Sequence, residues 1–237
     1  MTDAVAPVLL ADTAPFAQGG NRLCYVDPAD RERCIKVRRP DFTLEDRRRK
    51  KGFPKNLLPL AHFDDNLEEH GVMMALHRTY GEPLYQHVSR CFGFVETDMG
   101  RGLASELIRD ASGAVSETLK KLLWDEGITD DSRAAIERFV NFWLTLRVPS
   151  RDLLLHNIVA QRDPAGHIVR LVVIDGLGSQ SLIPTSWMPS ALQVRKAEKK
   201  IANFHQRIEL LLSQRGQGEF PGYHGILLHH DQPDSKS

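Results

Sequence analysis

Over the first third of the chain, apolar residues come in short runs divided by turn residues. Over the last half they recur at helical spacing. Leu23-Cys24-Tyr25-Val26 and Cys34-Ile35-Lys36-Val37 have the length and composition of strands. Between them lies the turn Asp27-Pro28-Ala29-Asp30, where proline pre-sets φ. The glycine turn Phe16-Ala17-Gln18-Gly19-Gly20-Asn21-Arg22 comes first, so the pattern predicts a β-hairpin behind a glycine loop. Residues 38–64 are polar and interrupted by Pro40, Gly52, Pro54 and Pro59, which predicts irregular chain. Asp64-Asp65-Asn66 offers N-caps to a helix running to about Arg78. Phe92 to Val95 and Leu103 to Ile108 read as two further strands, joined through Asp98-Met99-Gly100-Arg101-Gly102.

Beyond the turn Asp110-Ala111-Ser112-Gly113 the period changes. Ile136, Phe139, Val140, Trp143 and Leu144 make a helical stripe, with Ser132 as its predicted N-cap and an end near Arg147, before Pro149. Trp143 belongs to the predicted core. A compact hairpin follows: Ile158 to Gln161, the turn Asp163-Pro164-Ala165-Gly166, then Ile168 to Ile174. Ala197, Ile201, Phe204, Ile208 and Leu211 seam a long final helix, which Gly216 would cap. Strands first and helices second predict an α+β, two-lobed architecture. Residues 1–108 would be a small antiparallel β-sheet lobe with one helix near 65–78. Residues 109–220 would be a mainly helical lobe carrying the hairpin, and 221–237 a flexible tail.

Composition narrows the classes. A chain of 237 residues can bury its own core, and 31 basic residues against 31 acidic ones give no field for nucleic acid or an anionic membrane. No stretch approaches the length of a membrane span, and the short apolar run Val8 to Leu10 is no signal peptide. Three cysteines, Cys24, Cys34 and Cys91, without a C-x-x-C pair, suit a reducing cytoplasm better than a disulfide framework. Arg47-Arg48-Arg49-Lys50-Lys51 reads as a solvated cluster in a loop or as a site for an anionic partner. His224, His229 and His230 lack acidic or cysteine partners at metal-ligand spacing.

Three segments carry candidate chemistry. In Ser150-Arg151-Asp152-Leu153-Leu154-Leu155-His156-Asn157, an Asp and an Asn five residues apart can reach one site from one loop. The kinase catalytic loop has this spacing, with Asp accepting the hydroxyl proton and Asn holding Mg²⁺. In Leu171-Val172-Val173-Ile174-Asp175-Gly176-Leu177-Gly178, an acid follows an apolar strand directly, as the kinase Mg²⁺-binding Asp does. The hairpin between these segments returns the chain to its start, so Asn157 and Asp175 should meet as two hard oxygen ligands. A dinucleotide fingerprint at Gly176-Leu177-Gly178 fails, because Ser181 stands where a third glycine belongs and Leu182-Ile183-Pro184 opens no helix. The third segment pairs Lys36 with the predicted helix. Glu69 shares a face with Val72, Met73 and Leu76, and a carboxylate there needs a partner, while Glu68 points elsewhere. Taken singly, these signals also fit loop polar residues, a common Asp-Gly turn, and a surface Lys and Glu that never meet.

Their order is harder to obtain by chance: strand lysine, helix glutamate, strand end, helix, D-x-x-x-x-N, hairpin, D-G. With Asn21 to Tyr25, Arg33 to Val37, Val95-Glu96-Thr97-Asp98-Met99-Gly100 and Leu171 to Gly178, the chain resembles the bacterial PhoP regulatory network protein family (YrbL type), a divergent branch of the protein-kinase-like superfamily. The resemblance extends over about residues 15–215. It implies an ATP–Mg²⁺ cleft between two lobes, with Lys36 and Glu69 setting the phosphates and Gly19-Gly20 covering them. Glu106 and Ile108 would offer hinge backbone to adenine, Asp152 would be the base, and Asn157 with Asp175 would hold Mg²⁺. It further implies a cytoplasmic protein of bacterial stress regulation that transfers a γ-phosphoryl group to a hydroxyl. Departures are visible: Ser150 replaces the histidine of His-Arg-Asp, Gly176 the phenylalanine of Asp-Phe-Gly, and no Ala-Pro-Glu follows. They favour a small-molecule or envelope acceptor over a peptide, and leave open a pseudokinase acting as a nucleotide-binding module.

Overall fold

A computed structural model describes residues 6–178 and 189–229. Its residues divide into two compact units. The first comprises the chain up to Met74, Arg90–Leu107 and a short stretch from Leu227; the second comprises Ala75–Ser89 and Ile108–Ile226.

The first unit is built on five antiparallel strands: β1 (Ala17–Gln18), β2 (Arg22–Asp27), β3 (Asp30–Arg38), β4 (Cys91–Thr97) and β5 (Gly100–Glu106), in the order β1-β2-β3-β5-β4. Strand alternation sorts the side chains. Tyr25, Ile35 and Val37 form a core cluster with Leu10, joined by Val8, Leu23, Val95 and Met99. Gly102 lies under this layer: a β-carbon there would come within 2.6 Å of the Ile35 Cγ2. Cys24, Cys34 and Lys36 occupy the opposite face, since Cys24 pairs with Lys36 and Val26 with Cys34.

Two helices belong to this part of the chain. The expected helix is α2 (Asp65–Tyr80), whose buried positions are Asn66, Met73 and Leu76. The other, α1 (Leu44–Lys51), lies where irregular chain was expected. Its start is a capping box: the Thr43 hydroxyl accepts the Asp46 N–H at 3.1 Å, and the Asp46 carboxylate accepts the Thr43 N–H at 3.0 Å. The basic run Arg47–Lys51 is therefore helical. Arg47 is buried against Asp65 and Glu68, while Arg48 and Arg49 bond back to Glu45 and Asp46. Arg49, Lys50 and Lys51 are exposed and Arg48 is partly so, whereas Arg47 is withdrawn from solvent.

The second unit holds α3 (Leu119–Glu126), α4 (Asp130–Leu146), the hairpin β6 (Ile158–Arg162) and β7 (Ile168–Val173), and α5 (Ser190–Gln214). The α+β class expected from the sequence holds. Ile136, Phe139 and Trp143 of the α4 stripe are buried, with Phe139 against Trp143 at 5.2 Å and against Phe204 of α5 at 5.5 Å between ring centroids, whereas Val140 is half-buried, Leu144 is exposed, and Phe142 is buried beside the stripe. The N-cap of α4 is Thr129 rather than Ser132. Ser132 is the third residue of that helix, and its hydroxyl accepts the Thr129 N–H at 2.9 Å, closing a capping box. Helix α3 was not foreseen; Thr118 caps it, and Leu119, Leu122 and Leu123 bury its inner face.

Residues 221–226, read from the sequence as the start of a tail, lie against α3. Gly225 O accepts the Thr118 hydroxyl at 2.7 Å, and the Lys120 ammonium bonds the carbonyls of Pro221 and His224. His230 and the stretch 181–184 lie outside the described residues.

Candidate functional site

The first cluster grows from β3. Lys36 is nearly buried, and its ammonium meets the Glu69 Oε1 at 2.7 Å. The sequence predicted this partner from the helix face. Two further members were not predicted. The Arg22 Nη1 of β2 donates to the Glu69 Oε2 at 2.5 Å and to the Asn66 Oδ1 at 3.1 Å. The Asn66 amide donates to the Lys36 carbonyl at 3.0 Å. One carboxylate thus serves two cations, and one amide fixes α2 against the strand that carries the lysine. In the sequence Asn66 read only as an N-cap candidate; its place three residues before Glu69 puts it on the same helix face.

Gly19 and Gly20 form the turn from β1 to β2, closed by the Gly19 N–H on the Arg22 carbonyl at 2.9 Å. A β-carbon on Gly20 would meet nothing within 4 Å, and one on Gly19 would stay 3.6 Å from the nearest atom. The turn itself does not demand glycine, and its backbone is open to close approach. Glu106 ends β5; its N–H donates to the Arg90 carbonyl at 2.8 Å, and its carboxylate accepts the Arg90 N–H at 3.0 Å. Ile108, in the second unit, is buried and accepts the Ser116 N–H at 3.0 Å.

The second cluster is a zipped pair of loops. The Arg151 N–H donates to the Gly176 carbonyl at 2.9 Å, and the Gly178 N–H to the Pro149 carbonyl at 3.0 Å. The Ile174 N–H donates to the Asn157 carbonyl at 2.9 Å, closing the hairpin as expected. Leu153 and Leu155 are buried and anchor the loop. Gly176 has φ of 82°, and a β-carbon on it would stand 3.1 Å from the Asn157 amide nitrogen and 3.2 Å from the Asp152 carbonyl. The Asn157 side chain, the Asp152 backbone and the Asp175-Gly176 turn are therefore immediate neighbours. Asp175 is exposed and accepts the Gly176 N–H at 2.6 Å.

The Asp152 carboxylate takes cations from α5: the Arg207 Nη2 at 3.1 Å and the Lys200 ammonium at 3.8 Å. Lys200 also donates to the Arg151 carbonyl. Neither partner was singled out from the sequence. His156 stacks on His224 at 5.2 Å between ring centroids. Burial, then the neighbouring His224 and Lys120, lower its pKa to about 4, so it is neutral at physiological pH. Asn157 and Asp175 offer the hard oxygen donors that Mg²⁺ takes, and among the described residues no group of three or more His, Cys, Asp or Glu could hold a metal ion by itself. An ion here would complete its shell from water and phosphate, as Mg²⁺ commonly does.

The sequence model of the PhoP regulatory network protein YrbL family matches residues 8–209. The chain belongs to this family. Two YrbL-family relatives carry the name "Uncharacterized protein YrbL", one from Escherichia coli (strain K12) and one from Shigella flexneri. Each is 26% identical over 198 residues, covering 81% of this chain and 83% of the relative. Among solved structures, Rad53 1-466 in complex with AMP-PNP aligns over 89% of this YrbL-family chain and 48% of its own, at 13% identity and a TM-score of 0.46. No helix among the described residues is long and apolar enough to cross a membrane.

Proposed function

We propose that this YrbL-family protein binds a nucleoside triphosphate, ATP, together with Mg²⁺. The observation that carries the proposal is the buried Lys36–Glu69 pair at 2.7 Å, a lysine held ready by a helix carboxylate on a sheet whose glycine turn has open backbone. Lys36 would neutralise phosphate oxygens, and Glu69 would hold its ammonium in place. Gly19 and Gly20 would lie along the phosphates, and the backbone at Glu106 and Ile108 would meet the base. Asn157 and Asp175 would hold the metal, which neutralises charge on the phosphates when bound.

In this proposal the γ-phosphoryl group passes to a hydroxyl on a small molecule or envelope component, and Asp152 orients that hydroxyl and accepts its proton. A second reading, a nucleotide-binding regulatory module without transfer, is favoured by one observation: Asp152 already pairs with Arg207 and Lys200. Two cations compete for the lone pairs that a proton acceptor needs.

Thermal unfolding tests the binding step. A ligand at 100 times its Kd adds about 2.7 kcal/mol. In a domain of this size that raises Tm by roughly 5–11 °C. Asp175→Ala should abolish the Mg²⁺-dependent part of the shift. No shift in the parent protein, or an undiminished one in Asp175→Ala, overturns the proposal. Asp152→Asn separates the two readings: with γ-labelled ATP and envelope or metabolite pools as acceptors, it should remove transfer and keep the shift if the protein is an enzyme. Absence of any transfer by the parent protein supports the module.

A further inference from the structure

All three cysteines of the chain belong to the first unit's sheet. Cys24 on β2 stands opposite Lys36, and Cys34 on β3 stands opposite Val26, so the two thiols are diagonal neighbours on the face that bears Lys36. Cys34 pairs across β5 with Ser105, and Ser105 pairs with Cys91 on β4. Cys91 is therefore two strand spacings from Cys34, about 9–10 Å. That exceeds the reach of a disulfide, about 7 Å between α-carbons.

We propose that Cys24 and Cys34 form a reversible intramolecular disulfide under peroxide, and that closing it disables the Lys36–Glu69 site. The second clause rests on the nucleotide reading above; the first does not.

The pair is chemically unsymmetrical. The neighbouring Cys34 thiol, with the nearby Lys36 and Arg22 cations, lowers the Cys24 pKa against the opposing effect of burial, while the Cys24 thiol and burial raise that of Cys34. Cys24 is partly exposed and Cys34 is buried, so Cys24 meets the oxidant first. Its thiolate sulfur attacks one oxygen of hydrogen peroxide, the O–O bond breaks, and the departing hydroxide takes a proton to become water. Cys24 is then a sulfenic acid, oxidised by two electrons. The Cys34 sulfur attacks the Cys24 sulfur, the S–O bond breaks, and hydroxide leaves with the Cys34 proton as a second water. Two thiols and one peroxide give one disulfide and two waters.

The geometry ties this bond to Lys36. Diagonal cross-strand α-carbons lie about 7–8 Å apart, so the strands must close by roughly 1 Å to reach disulfide distance. The movement falls where Lys36 faces Cys24, beneath the carbonyl that Asn66 holds. A bond formed against the sheet's preferred spacing is easily reduced, which makes the change reversible.

The test uses the full chain, reduced and then treated with hydrogen peroxide. Thiols are counted after denaturation, and peptides are mapped by mass spectrometry. The count should fall from three thiols to the single thiol of Cys91, and dithiothreitol should restore it. Cys34→Ser should block the disulfide and leave a sulfenic acid on Cys24 that dimedone traps; Cys24→Ser serves as the second variant should the buried substitution impair folding. Persistence of every thiol, or a disulfide containing Cys91, overturns the pair. The ATP–Mg²⁺ thermal shift should be lost in oxidised protein and return with dithiothreitol, whereas Cys34→Ser should keep it under peroxide. An oxidised protein with a full shift overturns the coupling. If the reduced protein shows no shift, the nucleotide reading fails, while the thiol count still decides the pair.

Discussion

Glu69 should cost more to remove than Lys36, because it serves two cations and Lys36 leaves it a second partner. Side-chain exposure is 16% for Glu69, 8% for Lys36 and 12% for Arg22, so all three are largely withdrawn from water. Glu69→Ala removes the carboxylate that both the Arg22 guanidinium and the Lys36 ammonium bond. Breaking a buried ion pair costs about 3–5 kcal/mol, and the residual exposure puts this case at the lower end, about 3 kcal/mol. That corresponds to a fall in Tm of roughly 6–12 °C. Lys36→Met removes one charge-assisted hydrogen bond but also the lysine's own desolvation, and Arg22 still holds Glu69 at 2.5 Å. Its cost should be about 1 kcal/mol, or ~2–4 °C. The double variant should be less destabilised than the sum by ~1–2 kcal/mol, since Lys36→Met removes one of the two cations that Glu69→Ala deprives of its carboxylate. Urea unfolding of the four proteins measures all three quantities. A Lys36→Met loss equal to that of Glu69→Ala, or strict additivity, would refute the two-cation account.

Gly102→Ala should destabilise by about 1–3 kcal/mol in urea unfolding, because its β-carbon would stand 2.6 Å from the Ile35 Cγ2 and 3.1 Å from the Val37 Cγ1. Thr43→Ala should remove about 1 kcal/mol and lower helix content by circular dichroism, since it opens the capping box of α1. His87 is buried against Phe139 and Phe142, with its Nδ1 2.7 Å from the Leu171 carbonyl; burial lowers its pKa below the ordinary 6.5. The unfolded chain then binds the proton more readily, so stability is flat above pH 6.5 and falls below it. The slope from this group is at most about 1.4 kcal/mol per pH unit, and His87→Asn should reduce it; an unchanged slope would show that His87 does not titrate on unfolding.

The fold was most legible where one periodicity ran long enough to fix a face. The α5 seam is such a case, buried at every position read; the α4 stripe is buried at Ile136, Phe139 and Trp143, while Val140 is half-buried and Leu144 exposed. The hairpin formed where its turn residues placed it. Pro40 and Gly52 read as breakers of the whole stretch, but they bound a single capped segment, α1, whose N-terminal signal is Thr43-x-x-Asp46. Helix α3 has only Leu119, Leu122 and Leu123 on its inner face. Three positions are too few for the period to speak, and the Thr118 cap alone did not outweigh that.

The site shows the same division between local and tertiary information. Lys36 with Glu69 was readable because a strand lysine and a carboxylate on an apolar helix face both require a partner. Arg22 was not, because its contact depends on which way β2 turns its residues toward α2. Lys200 and Arg207 are seven residues apart on α5, and nothing in the sequence links them to Asp152; the packing of that helix brings them there. Gly176 is the opposite case, a departure from the kinase pattern that the structure explains. Its φ of 82° strains any L side chain, and a β-carbon would stand 3.1 Å from the Asn157 amide nitrogen and 3.2 Å from the Asp152 carbonyl, so any side chain there must displace the loop it packs against. Glycine at this position therefore follows from the close approach of the 152–157 loop to the Asp175-Gly176 turn, and phenylalanine would force the two apart.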